Sequence, residues 1–258
     1  MTELTQGVTV WRRSIEEAKE MEDLLAKESP LTIYFNDKEI VTLLCTPEHM
    51  DELAVGFLAA EGIINTKEDL KDVHLDEDKG AAWIEGKEQP FAEKMFLKRY
   101  ITTGCGKGTT FYNVLDVQTK PIESNFSISI DQMLKLMKSS QTMSELFKET
   151  GGVHGNALCN TDSVLLFRDD IGRHNATDKI VGKCFMEDIG LDDKMLLTSG
   201  RISSEILLKV AKVGIPVIAS RSAPTALAVN LAEKLGVTIV GFARASRCNV
   251  YTSPQRIK

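Results

Sequence analysis

The residue of this 258-residue chain best equipped for chemistry is Cys105, set in Thr102-Thr103-Gly104-Cys105-Gly106-Lys107-Gly108-Thr109-Thr110, a stretch in which nothing can pack a core. The three glycines open backbone regions closed to other residues and leave no side chains over the sulfur, so a large partner can approach it. A free thiol is about 3% thiolate at pH 7, and a neighbouring cation such as Lys107 raises that fraction. The types and spacing point to nucleophilic sulfur chemistry at Cys105 assisted by Lys107. The plain alternative is a Gly/Thr connection with an incidental cysteine, since most cysteines are small buried hydrophobes. A second group recurs later: Asp169-Asp-Ile-Gly-Arg173-His174-Asn175, Ser199-Gly-Arg201-Ile-Ser-Ser-Glu205, Ser220-Arg221-Ser-Ala-Pro-Thr225 and Ala243-Arg244-Ala-Ser-Arg247. Each joins an arginine fork to small or hydroxyl residues, a set suited to phosphate. Any one alone reads as a surface arginine beside a helix cap. Repetition after four successive strands points to one phosphate-bearing pocket.

The elements that must hold these residues follow from periodicity. Phe96 to Ile101 reads as a strand running directly into the Cys105 loop. Asp131 to Ser139 and Thr142 to Thr150 read as helices. The chain then alternates: strand Ala157 to Phe167, helix Ala176 to Ile189, strand Met195 to Thr198, helix Ser203 to Val213, strand Pro216 to Ala219, helix Thr225 to Leu235 and strand Thr238 to Phe242. Short apolar strands between helix-length segments predict a largely parallel sheet covered on both faces, with ligands gathering beyond the carboxyl ends of its strands.

Upstream, Val8 to Arg13 alternates like a strand, and Ser14 to Ser29 is a charged stretch compatible with a loop or a solvated helix. Leu31 to Phe35 and Glu39 to Cys45 flank a hairpin turn at Asn36-Asp37-Lys38. Thr46-Pro47 opens a helix capped by Thr46 and ending near Gly62. Asp72 to Leu75 and Ala81 to Glu85 form a further hairpin. The expected organisation is a small α+β unit over residues 1–97 and an α/β domain over 98–258 that carries the Cys105 loop and the pocket. His49 and His74 lie in polar surroundings and read as surface histidines.

Composition excludes more than it names. Hydrophobic residues at 43%, charged residues at 26% and a net charge of −6 describe a globular protein without a general affinity for nucleic acid or membrane surfaces, so an anionic ligand needs a local basic cluster. No apolar run reaches spanning length and no signal-like segment opens the chain, which predicts a cytoplasmic location. Five scattered cysteines without a Cys-x-x-Cys pair predict reduced thiols and no metal knuckle, with Cys45, Cys159 and Cys184 as core thiols.

Several longer motifs carry a family resemblance: Thr150-Gly-Gly-Val-His-Gly-Asn-Ala157, Asp170-Ile-Gly-Arg-His-Asn-Ala-Thr-Asp-Lys179, Thr198-Ser-Gly-Arg-Ile-Ser203, Ile215-Pro-Val-Ile-Ala-Ser-Arg-Ser-Ala-Pro-Thr225 and Gly241-Phe-Ala-Arg244 with Asn249-Val-Tyr-Thr252. Over nearly the whole length the chain resembles the FdhD-type formate dehydrogenase accessory sulfurtransferases. The resemblance implies a cytidine-deaminase-like three-layer α/β domain with a smaller N-terminal α+β unit, usually in a homodimer. It implies a persulfide on Cys105, supplied by a cysteine desulfurase and passed to the molybdenum cofactor, bis(molybdopterin guanine dinucleotide), for formate dehydrogenase. It places that cofactor on Phe242, Ala243, Arg244, Ala245, Ser246 and Arg247, with Arg173, His174, Arg201 and Arg221 as further pocket residues, and a guanine nucleotide is expected to occupy the same site.

One departure matters. Many members carry Cys-x-x-Cys in the loop, whereas Gly108 takes the second position here. A single persulfide carrier remains workable, with Cys248, beside Arg247, as a candidate assistant. Two other classes compete. A zinc deaminase would share the implied fold, but His154-Gly-Asn156 lacks the glutamate and no paired cysteines follow. His154 and His174 then read as hydrogen-bonding residues near the pocket or as structural histidines. A non-catalytic chaperone for the cofactor would need the arginine loops but not Cys105.

Overall fold

The computed structural model describes residues 4–87 and 121–258. Cys105, Lys107 and the expected strand Phe96 to Ile101 lie outside the described residues. Two strands, β1 (Thr5–Arg13) and β2 (Ala18–Ala26), pair antiparallel in a ribbon from Thr5↔Ala26 to Arg13↔Ala18. The charged stretch after Ser14 is thus a strand, neither loop nor helix. Its charges Lys19, Glu20 and Glu22 are exposed while Met21 and Leu24 are half-buried, so pairing with β1 overrides local composition.

The expected hairpin joins β3 (Ser29–Phe35) to β4 (Lys38–Cys45), with Asn36 and Asp37 at φ 47° and 64°, the left-handed pair that a two-residue turn requires. Helix α1 (Met50–Glu61) follows and stops at Gly62, as the sequence predicts. A second hairpin, β5 (Leu70–Asp76) with β6 (Ala81–Gly86), adds β6 parallel to β3 and completes a sheet of order β4-β3-β6-β5. Leu31, Ile33, Phe35, Ala82 and Ile84 pack against Leu53, Phe57 and Leu58 of α1. His49 and His74 are exposed, as expected. Thr46 does not cap α1. His49 takes that position at φ 53°, while Thr46 is buried and donates from both N and Oγ1 to Asp170 Oδ2, at 3.1 and 3.0 Å. A buried carboxylate outcompetes the helix end for this hydroxyl.

After residues 121–129 come α2 (Ile130–Gln141), capped by Ser129 and Gln132 in a reciprocal box, and the short α3 (Glu145–Thr150). The expected strand Ala157 to Phe167 is two antiparallel strands, β7 (His154–Cys159) and β8 (Val164–Asp170). Asn160 makes the turn, its Oδ1 accepting from the N–H groups of Asp162 and Ser163 at 2.8 and 2.7 Å. Then follow α4 (Arg173–Glu187), β9 (Met195–Thr198), α5 (Ser204–Lys212), β10 (Val217–Ser220), α6 (Ala226–Leu235), β11 (Thr238–Arg244) and β12 (Arg247–Val250). The sheet has the order β12-β11-β10-β9-β7-β8, parallel only across β9, β10 and β11 and antiparallel at both flanks. It is mixed where the sequence predicts largely parallel, because the Asn160 turn and the turn after Arg244 each reverse the chain within a few residues.

Alternate strand residues face opposite layers. Leu158, Leu196, Ile218 and Ile239 meet α4, α5 and α6, whereas Ala157, Leu197, Ala219 and Val240 meet Met133, Leu136 and Met137 of α2. Burial on both faces produces the short, wholly apolar strands seen in the sequence. The α1–α4 crossing joins the four-stranded sheet to the six-stranded one. A Cβ added to Gly182 would stand 1.8 Å from the Glu52 carbonyl oxygen, and one on Gly56 1.8 Å from that of Asp178, so backbone meets backbone there. The fold is α/β, three layers deep at the larger sheet, with an N-terminal α+β unit against it.

Candidate functional site

Residues 242–247 close the carboxyl end of β11 and turn into β12 through an irregular hairpin, whose register shifts between Gly241 and Arg244. Phe242 and Ala245 adopt φ 52° and 50°. Left-handed conformations at non-glycine residues cost on the order of 1 kcal/mol or more each, and two in four residues mark a tip held in shape by its surroundings. Those surroundings are visible: Phe242 N donates to Ser222 O at 3.1 Å and Arg244 Nε to Arg221 O at 2.8 Å. The tip is thereby fastened to the loop between β10 and α6. That loop is fixed in turn by the buried Ser220 Oγ, which donates to Gly200 O at 2.6 Å and accepts from Ser222 N at 2.9 Å.

Between this tip and α2 lies a cleft of about 660 Å³. Arg221, Ala243, Arg244, Ala245 and Ser246 form one wall; Asp131, Leu134, Lys135, Lys138 and Gln141 of α2 form the other. Four cations face one carboxylate, the local basic cluster that a protein of net charge −6 needs to hold an anion. Lys135 pairs with Asp131 at 2.6 Å, whereas Lys138 and the Arg221 guanidinium have no ion-pair partner among the described residues. Sequence reasoning misses the α2 wall. The signal for it is present, since 131, 134, 135, 138 and 141 share one face of a helix whose other face is buried.

Among the described residues, the cleft takes in two of the four arginine loops. Arg221 and Arg244 line the cleft, but Arg201 and Arg247 are exposed and absent from its walls, and Arg173 and His174 belong to a second cluster. In this cluster the Arg173 stem lies over Gly200, where an added Cβ would come within 3.1 Å of Arg173 Cδ. His174 Nε2 stands 3.0 Å from Glu205 Oε2, an ion-pair distance without hydrogen-bond alignment. His154 Nδ1 lies 3.2 Å from Ser199 Oγ, which also accepts from Gly155 N at 3.2 Å. Burial, then Arg173 and His174, hold the His154 imidazole below its ordinary pKa, which favours the neutral ring in its hydrogen bond with Ser199. His154 is therefore a hydrogen-bonding residue at the strand ends, one of the two roles the sequence allows.

The described cysteines are not poised as nucleophiles. Burial pushes the thiols of Cys45, Cys159 and Cys184 up to about 12, and that of the half-buried Cys248 upward too. Asp170 is wholly buried against Lys179 Nζ at 2.7 Å and accepts from Thr46, Gly172 N and Asn175 Nδ2. It anchors the end of β8 beside the site.

The FdhD/NarQ family model matches residues 26–258. The chain belongs to the FdhD/NarQ family. It is 46% identical over 251 residues to sulfur carrier protein FdhD of Bacillus subtilis, covering 96% of each chain. It is 48% identical over 237 residues to sulfur carrier protein FdhD of Bacillus pumilus, covering 91% of this chain and 90% of that one. A crystal structure from Desulfotalea psychrophila, of a protein provisionally assigned as a formate dehydrogenase accessory protein, superposes with a TM-score of 0.85 at 25% identity, covering 99% of this chain and 100% of that one. Both the fold and the family thus agree with the motif-based reading. No described helix is long and apolar enough to cross a membrane.

Proposed function

We propose that this protein is a sulfur carrier that loads sulfur on Cys105 from a cysteine desulfurase and delivers it to bis(molybdopterin guanine dinucleotide), its substrate, for use by formate dehydrogenase. In this reading it works in the cytoplasm as a homodimer, with Cys105 and Lys107 as the catalytic pair. The observation that carries the reading is the basic cleft at the ends of β10 and β11, where Arg221 and Arg244 face Lys138 across a space open to a phosphate-bearing molecule. The relatives named sulfur carrier protein and the accessory-protein assignment of the structural neighbour supply its other half.

Loading is a transpersulfidation. The Cys105 thiolate attacks the outer sulfur of the donor's cysteine persulfide; a new S–S bond forms at Cys105 as the donor's breaks, and the donor leaves as a thiolate, with no net oxidation. Lys107 favours the thiolate before transfer and the persulfide anion after it. Intact-mass analysis after incubation with a cysteine desulfurase and cysteine tests the reading. The expected result is a gain of about 32 Da, one sulfur atom, mapping to the Cys105 peptide and absent from Cys105→Ser. Loading on another cysteine would refute it, and a Cys105→Ser protein that still supports formate dehydrogenase would establish the non-catalytic chaperone instead.

A further inference from the structure

The β1–β2 ribbon is held at its base and has an open edge beyond it. At the base Thr5 is buried and Ala26 lies against Gly152, where an added Cβ would meet the Ala26 Cβ at 3.5 Å. Beyond the base, β1 pairs only with β2 among the described residues. Lys27 N donates to Leu4 O at 2.9 Å and Ser14 N to Glu17 O at 2.8 Å, so the even-numbered residues of β1 make its ladder to β2. Gly7, Thr9 and Trp11 therefore turn their N–H and C=O groups outward. A regular open edge of this kind is a template for another strand, and a two-stranded ribbon is marginally stable until something further covers it.

We infer that this edge pairs with its own copy, β1 against β1 antiparallel about a two-fold axis at Thr9, making a four-stranded sheet across two chains. The strand Thr5–Arg13 is self-complementary about that middle residue. Thr9 meets the partner's Thr9, and Val8 meets the partner's Val10 on each side of the axis, pairs that suit a ladder. Gly7 meets the partner's Trp11, whose ring, 64% exposed in the single chain, covers the surface a glycine leaves bare. Val8, Val10, Met21 and Leu25 share one face of the ribbon, so the pairing continues an apolar stripe from one chain into the next. Charge selects β1 over β2. The only charges of β1, Arg12 and Arg13, come beside the partner's Gln6 and the partner's Thr5, whereas β2 paired about its own middle residue would set Glu22 against the partner's Glu22. The assignment rests on the homodimer of the proposed function and adds the surface that makes it.

Charge substitution at the axis tests it. Thr9 is exposed, so Thr9→Asp and Thr9→Lys should each fold as the parent does while opposing like charges in their own homodimers. Sedimentation of the full chain should show the dimer dissociation constant rising about fivefold in each variant, the effect of a like-charge pair directly opposite across a ladder. Mixed in equal amounts, the two variants set opposite charges together, and native mass spectrometry should find the mixed dimer well above the proportion that random exchange gives. A parent that dimerises while neither variant homodimer is weakened, or a mixed dimer at the random proportion, overturns the β1 surface and leaves the homodimer standing. Pairing of this edge with residues 88–120 or with a strand of another protein would give that result. A parent that stays monomeric at every concentration overturns the surface and the homodimer together.

Discussion

The contact most sensitive to a single carbon atom is the crossing of α1 and α4. In Gly182→Ala the new Cβ would stand 1.8 Å from Glu52 O, 2.7 Å from Glu52 C and 2.8 Å from Gly56 N. A carbon approaches a carbonyl oxygen no closer than about 3.3 Å in ordinary contacts, so α1 must retreat by about 1.5 Å, since no side chain can swing aside. A gap of that size forfeits a large part of the dispersion attraction across the interface, where Val181 and its neighbours meet Leu53 and Phe57. Overpacking costs about 1–3 kcal/mol and backbone against backbone lies at the top of that range, while alanine returns about 1 kcal/mol of helix propensity. The net expectation is a loss of about 2 kcal/mol, or a fall of about 4–8 °C in Tm for a chain of this size. Gly56→Ala should cost a similar amount, since its Cβ meets Asp178 O at 1.8 Å and Gly182 N at 2.7 Å. The double variant should cost much less than the sum, because helices already forced apart by one methyl accommodate the other. Urea unfolding of the parent, both single variants and the double variant reads all four values. A Gly182→Ala protein as stable as its parent would show that propensity prevails and that the crossing is not close-packed.

Lys179→Met should destabilise the protein by about 3–5 kcal/mol in urea unfolding by stranding the fully buried Asp170, and adding Asp170→Asn should recover part of the loss; a neutral single variant would contradict a buried pair. Cys45, Cys159 and Cys184 should resist a thiol-specific reagent at pH 7 until the chain unfolds, because burial holds them protonated; labelling of any of the three in the native protein, read by peptide mass, would contradict their placement. The lowered pKa of His154 makes its neutral form the one the fold prefers, so its contribution is intact above pH 6.5 and lost as pH falls through the lowered value. His154→Gln should therefore lose less stability than the parent on acidification below pH 6.5, and parallel stability curves for the two proteins would count against it.

Elements whose signal is local are legible in the sequence. The Asn36-Asp37 turn, the stop at Gly62 and the caps Ser203 and Thr225 stand where residue chemistry alone puts them, since each depends on one or two dihedrals or one side-chain oxygen. Local signals mislead where a distant partner decides. Ser14 to Ser29 looks like a loop or a solvated helix until β1 supplies a ladder, and Thr46 looks like a cap until Asp170 arrives from 124 residues away. The exception is Asn160-Thr-Asp-Ser163, a local turn signal inside an apolar run, where the continuity of hydrophobic residues hides the reversal.

That reversal also explains why, among the described residues, the Arg173–His174 cluster stands apart from the cleft. The loops beyond the carboxyl ends of β9, β10 and β11, where the sequence places the ligand, leave one edge, but β7 runs antiparallel beside β9 and brings its amino end to the same edge. His154 and Gly155, the first residues of β7, therefore face Ser199, the first residue after β9. The chain next forms β8, whose carboxyl end returns to that edge and leads through Asp170 into Arg173 and His174. Helix α4 then covers one face of the sheet and α2 the other, so the cluster carried by α4 is separate from the cleft walled by α2. Four arginine loops leaving one edge are thus distributed by the layers that cover it: arginines from β10 and β11 meet the lysines of α2, while the arginine of α4 packs over Gly200 beside a neutral histidine. The first set is the charge complement that the proposed phosphate-bearing ligand needs, and the second holds the strand ends beside it.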